Sequence, residues 1–172
     1  SIKNNFYWIA TDRLFEMKDH EIEIVDVSYG KDLIGATYIP AYNEYEHLFK
    51  EGAFRIIHSD DTNTESGSGL VSQAPAYGES DFYALKNANI DVIADPVMLS
   101  GRFDSTFKEL NGLNVKDADK LIMYQLEERG NLFSRTSEMH SYPFCWRTGT
   151  PLIYKAIPCL LYTSPSPRDN RT

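Results

Sequence analysis

Apolar and polar side chains alternate along the chain with a period that changes several times, and each change marks a predicted element. Phe6-Tyr7-Trp8-Ile9-Ala10 reads as a short strand leading into a charged, helix-like stretch from Asp12 to Lys18. Glu21-Ile22-Glu23-Ile24-Val25-Asp26-Val27 alternates for most of its length, as a half-buried strand does. Asp32 to Tyr38 is a second extended candidate ending at Pro40, and the two are spaced for a hairpin. Gly52 to His58 and Leu70 to Ala74 add two more strand candidates, the latter reached through a Gly67-Ser68-Gly69 turn.

The helical period appears twice. Gly78-Glu79-Ser80-Asp81 has the composition of a helix start, with Phe82, Leu85 and Ile90 at apolar spacing and an end expected near Asn89. Val115-Lys116-Asp117-Ala118-Asp119-Lys120 opens the clearest helix, with Ala118, Leu121, Ile122 and Leu126 on one face and Gly130 as its stop. Asp91 to Met98 reads as extended, Gly101 to Leu110 as loop, and the last third, including Pro151 to Ile157, as extended again. Strands dominate and helices punctuate, which predicts an α+β fold built on a mixed, barrel-like sheet with peripheral helices.

Bulk composition narrows the function classes. A chain of 172 residues suits one domain, and 42% hydrophobic residues with 11 Tyr and 9 Phe place it well outside the disordered range. The net charge of −8 argues against a generic nucleic-acid coat, so any RNA contact must be local. Cys145 and Cys159 are too few for a disulfide framework or a zinc ribbon, and a reducing cytoplasm is expected. The longest apolar runs fall short of a membrane span. Thr163 to Thr172 is polar and proline-rich and cannot offset its ordering entropy by burial; residues 159–172 are expected to be a disordered, non-native tail.

Two stretches concentrate chemistry. His140-Ser141-Tyr142-Pro143-Phe144-Cys145-Trp146-Arg147 gathers His, Cys, Trp and Arg, yet no second thiol or imidazole stands at metal-ligand spacing, and a structural role competes with catalysis. Gly69-Leu70-Val71-Ser72-Gln73-Ala74-Pro75-Ala76-Tyr77-Gly78-Glu79-Ser80-Asp81-Phe82 reads as strand, Pro/Gly corner and helix start. There Asp81 either faces a ligand or stabilises the helix N-terminus. Asp60-Asp61 reads as a solvated loop pair, and His20 and His58 as isolated histidines. Gly67-Ser68-Gly69 lacks the third glycine and the strand-turn-helix setting of a dinucleotide fingerprint.

Taken together, these stretches resemble one family. Gly67 to Phe82 is similar to the editing-site motif of isoleucyl-tRNA synthetases. Asp95-Pro96-Val97, Gly101-Arg102-Phe103, Val115 to Lys120, His140 to Arg147 and Thr150-Pro151-Leu152-Ile153-Tyr154 are similar to later family segments, in the same order. The likeness runs from about Phe6 to Pro158, so residues 1–158 resemble a fragment of the editing, or connective-peptide, domain. Gln73-Ala74-Pro75-Ala76-Tyr77-Gly78 looks like the eukaryotic cytosolic version.

The resemblance implies hydrolysis of valine misattached to tRNA(Ile). One missing methylene is worth only ~1–3 kcal/mol of discrimination, a general magnitude of which isoleucyl-tRNA synthetase is itself the standard example and which is not obtained from this chain. It further implies that Asp81 holds the α-ammonium of the misattached amino acid and that Gly69, Leu70, Val71 and Ser72 line the pocket. The partner is the tRNA(Ile) acceptor end, with a Rossmann catalytic domain in cis. No cofactor is expected on these residues, ATP and Mg²⁺ belonging to the full-length ligase.

Three departures from the family pattern bear on activity. Ser72 stands where the family usually has a histidine. The threonine-rich strand forming the opposite pocket wall would precede residue 1. Thr148 replaces the second thiol of the Cys-x-x-Cys pair found in some bacterial relatives, so no zinc is expected. A module that binds the acceptor end, or packs against a neighbouring domain, without hydrolysing anything is the competing expectation.

Overall fold

The computed structural model describes residues 6–18, 20–65, 67–135, 137, 139 and 141–157. His140 and residues 158–172, with the expected tail, lie outside the described residues. Two α-helices are present, α1 (Glu79–Asn87) and α2 (Val115–Glu128), with 3₁₀ helices at Thr11–Met17, Gly30–Leu33 and Glu46–Glu51.

Both α-helices begin and end where their sequences dictate. The Asn114 side chain caps α2 by accepting from the Lys116 N–H at 3.0 Å. At its far end Gly130, at φ +69°, donates to the Glu127 carbonyl, and Asn131 donates to the Leu126 carbonyl. These paired bonds form a Schellman stop and satisfy carbonyls the helix leaves open. The end of α1 uses the same device with a different residue: Asn89 takes the left-handed conformation at φ 55°, and Asn89 and Ile90 donate to the Lys86 and Leu85 carbonyls. Ile90 is then buried, as the apolar residue after such a stop usually is.

Helix α2 docks through a polar anchor as well as an apolar stripe. Ala118 is fully buried on the inner face. Buried Gln125 accepts from the Tyr42 hydroxyl at 2.8 Å and donates to the Glu109 carboxylate. Arg129, just past the helix, donates to the Ala41 carbonyl and stacks over the Tyr42 ring at 4.7 Å.

The extended segments pair briefly. Among the described residues, pairing consists of four isolated antiparallel bridges, Thr37 with Arg55, Val97 with Phe103, Arg102 with Asn114, and Phe144 with Pro151. A continuous barrel-like sheet is therefore not shown; tight turns at 98–101 and 145–149 lie within two of the four bridges, Val97 with Phe103 and Phe144 with Pro151. Two expectations change. Residues 35–38 pair with 54–56 through the Gly35, Tyr38 and Ile56 amides, in place of a hairpin with 21–27. The reason is local: Asp32 accepts from the Tyr29 N–H and closes the 3₁₀ turn at Gly30–Leu33, which redirects the chain. Residues 101–104, read as loop, instead run between 96–98 and 112–115, with Met98, Asp104, Phe103 and Val115 amides supplying the bonds.

The core is small, comprising Met17, Ala76, Ala84, Ile90, Val97, Leu110 and Ala118 among the described residues. Large apolar side chains remain on the surface, including Trp8, Ile24, Val27 and Leu99, with Ile39 88% and Trp146 86% exposed.

Candidate functional site

The corner between residues 69 and 82 is held from several directions. Upstream, the Ala10 N–H donates to the Ser68 carbonyl at 2.7 Å, and Arg13 donates to the Glu65 and Gly67 carbonyls. A Cβ on Gly69, at φ +86°, would stand 2.7 Å from Ala10 Cβ, so the close approach of these two segments requires glycine. This contact aims the following extended run, in which Leu70, Val71 and Ser72 are exposed. Gln73 is half-buried, and its Oε1 is a buried acceptor with no partner among the described residues.

The bend itself closes when the Tyr77 and Gly78 amides both donate to the Ala74 carbonyl. Ala76 is buried at its centre, and α1 starts one residue after Gly78. Gly78 has no side chain with which to cap the helix. Asp81, in the first turn, turns back instead, its Oδ2 accepting from the Ala74 N–H at 2.8 Å. A first-turn carboxylate is favoured by the helix dipole. Its second oxygen has no hydrogen bond to the described residues. Asp81 thus braces the bend through one carboxylate oxygen and, among the described residues, leaves the other without a hydrogen bond.

The other face of the bend is tied to distant segments. The Tyr77 hydroxyl donates to Asp95 Oδ1 at 2.8 Å and accepts from the Val97 N–H at 3.0 Å. Lys155 Nζ donates to the same Asp95 oxygen and to the Val97 carbonyl, and lies 5.7 Å from the Tyr77 ring centre. The Ala156 N–H donates to the Ala76 carbonyl at 2.7 Å. Burial pushes the Tyr77 hydroxyl above its ordinary range, and its bond to Asp95 adds to this. Burial also pushes Asp95 up, but hydrogen bonds from Lys155 and Tyr77 outweigh it and hold the carboxyl below its ordinary value.

Two hollows adjoin this region. One, of about 280 Å³, is largely apolar and is lined by Tyr77, Val97, Phe103, Tyr142 and Ile153, among others. The other, of about 350 Å³, lies beside His58, Asp60, Asp61 and Glu79. Neither is lined by Gly69, Leu70, Val71, Ser72 or Asp81; Leu70 to Ser72 are exposed, and Gly69 and Asp81 are half-buried.

The other sequence candidates are separate from the corner. His58 pairs with Asp60 at 3.0 Å on the surface, and His20 packs on the Phe133 ring. Cys145 sits in the 143–152 turn, where hydrogen bonding with Thr148 draws its thiol down from the ordinary range. Among the described residues no hydrogen bond joins a Ser or Cys side chain to a histidine, and no three His, Cys, Asp or Glu side chains gather as a metal site. The Tyr77–Asp95–Lys155 cluster escaped sequence reading, although Asp95-Pro96-Val97 was among the segments that carried the resemblance.

Several curated proteins are similar to the chain. An isoleucine–tRNA ligase of Bdellovibrio bacteriovorus is 44% identical over 144 residues, covering 84% of this chain and 14% of that protein. The cytoplasmic isoleucine–tRNA ligase of Saccharomyces cerevisiae is 42% identical over 145 residues, covering 82% and 14%. That of Caenorhabditis elegans is 39% identical over 158 residues, covering 88% and 14%. No family model matches the chain. The chain spans about 14% of the length of these relatives, and the matches support reading it as a fragment of an isoleucine–tRNA ligase.

Proposed function

We propose that the chain is the editing portion of an isoleucine–tRNA ligase and hydrolyses valine misattached to tRNA(Ile). The observation that carries this reading is the Asp81 carboxylate, with one oxygen braced on the Ala74 N–H, two residues beyond the exposed run Leu70 to Ser72, and the other without a hydrogen bond to the described residues. A fixed carboxylate with a free oxygen suits an α-ammonium, which needs a charge-assisted acceptor at a set position. Water then attacks the ester carbonyl while Asp81 holds the amino end, the tRNA terminal hydroxyl assisting. Gly69, Leu70, Val71 and Ser72 form one wall for the valine side chain, and the threonine-rich segment of the longer protein forms the other.

The wider assignments belong to the same proposal. The tRNA acceptor end is the partner, a Rossmann catalytic domain in cis holds ATP and Mg²⁺, and the site of action is the cytoplasm, in keeping with the two relatives named cytoplasmic. The eukaryotic cytosolic type rests on the Gln73 to Gly78 motif and stands beside 44% identity to a bacterial relative. The mixed, barrel-like sheet of an editing domain belongs to the same proposal.

Deacylation of Val-tRNA(Ile) tests the reading, run on this chain and on a longer one that includes the threonine-rich segment. Hydrolysis by the longer chain, abolished by Asp81→Ala, is expected. A specific observation favours a second reading, acceptor-end binding alone: Ser72 is exposed and makes no hydrogen bond to the described residues. Tight tRNA binding without turnover in either chain would establish that reading instead.

A further inference from the structure

The bend at 74–78 is gripped on its outer face by residues far away in sequence. Tyr77 reaches Asp95 and Val97 across 18 and 20 positions, and Lys155 reaches Asp95 and Val97 across 60 and 58. The Lys155 side chain is only 14% exposed, so its ammonium has little water and depends on the carboxylate, the carbonyl and the Tyr77 ring face. The inner face of the same bend is the Ala74 N–H that Asp81 holds. Outer grip and inner carboxylate are therefore joined by four residues of backbone.

We propose that Lys155 and Asp95 are positioning residues for the deacylation, acting through Tyr77 to fix the bend on which Asp81 is set. This rests on the editing reading given above. Lys155 neutralises Asp95 and fixes its oxygen; Asp95 fixes the Tyr77 hydroxyl; Tyr77 and Ala76 fix the bend; and the Ala74 N–H then sets the direction of the Asp81 carboxylate. Neither Lys155 nor Asp95 touches the substrate. An error of about 1 Å in a positioned group costs on the order of 100-fold in rate, so loosening this chain of contacts acts on turnover before it acts on binding.

Two measurements test the proposal. Amide hydrogen exchange on this chain reads the bend directly: Lys155→Met is expected to speed exchange at residues 74–82 while residues 118–126 of α2 keep their protection, and Lys155→Arg is expected to restore it. Unchanged exchange at 74–82, or an equal rise throughout α2, overturns the proposal. In a full-length synthetase carrying this sequence, Lys155→Met is expected to lower kcat for Val-tRNA(Ile) hydrolysis on the order of 10- to 100-fold with KM little changed, and Lys155→Arg to recover most of it. A loss confined to KM, or equal loss in the Arg variant, counts against it. If the unmodified synthetase does not deacylate, the editing reading fails and exchange alone decides the grip. Where Lys155→Met does not fold, Tyr77→Phe removes only the hydroxyl, and unaltered exchange in that variant overturns the proposal equally.

Discussion

Gly78 leaves empty the space that the Asp81 carboxylate fills: a Cβ at Gly78 would lie 2.8 Å from Asp81 Oδ2 and 3.0 Å from its Cγ. The backbone of Gly78 is extended at φ −139°, so the requirement is for room and not for an unusual conformation. Gly78→Ala must therefore swing the carboxylate away and break its bond to the Ala74 N–H. The expected loss is about 1 kcal/mol of stability, read as a lower Tm, with faster exchange of the Ala74 amide. An Ala variant with unchanged Ala74 protection would contradict this geometry.

Asp81 itself separates two roles. Asp81→Asn keeps an acceptor for the Ala74 N–H and removes the charge, whereas Asp81→Ala removes both. Stability should thus fall in the order wild type, Asn, Ala, while hydrolysis of Val-tRNA(Ile) should already fall in the Asn variant. A charge-assisted bond is worth ~1.5–3 kcal/mol, so the loss in kcat/KM is expected to be on the order of 10- to 100-fold. An Asn variant with full deacylation would remove the ammonium role.

The Tyr77–Asp95 pair sets limits on stability at both ends of the pH range. Asp95 has a folded pKa below its ordinary 3.8, so its contribution is present above that value and is lost as pH falls through the lower folded pKa. Tyr77 has a folded pKa above its ordinary 10.0, so its contribution is present below that value and is lost as pH rises through the higher folded pKa. Unfolding followed against pH should accordingly show an acid limb that Asp95→Asn flattens and an alkaline limb that Tyr77→Phe flattens. Limbs that do not respond to these variants would assign the titrations to other groups.

Gln125 provides a test away from the site. Its buried amide serves both the Tyr42 hydroxyl and the Glu109 carboxylate. Gln125→Ala leaves a cavity and strips two partners at once, and is expected to cost ~1–3 kcal/mol in urea unfolding. Double substitution with Tyr42→Phe should cost less than the sum of the single changes, because the two groups share one bond.

What the sequence makes legible is what short-range rules govern. The opening of α2 at Val115, its stop at Gly130 and the end of α1 near Asn89 are readable because capping is decided within a few residues; the Asn114 cap is seen only in the structure. Asp81 could be located at a helix start for the same reason, although its bond to Ala74 could not. Pairing partners were harder. Residues 35–38 choose 54–56 through contacts that alternation along one strand does not encode, and Tyr38 packs edge-on against Phe54 there. The union of Tyr77, Asp95 and Lys155 depends on folding across 60 positions between Lys155 and Asp95, and no local pattern announces it.

The bare apolar side chains carry a practical consequence. Trp8, Ile39, Leu99 and Trp146 are more than half exposed, and so much large apolar side chain left in water favours association. A purified sample should therefore bind the dye ANS while its helices remain intact, scatter light increasingly with concentration, and become quieter when mild detergent is added. Handled alone, the molecule would be expected to behave as an adhesive particle.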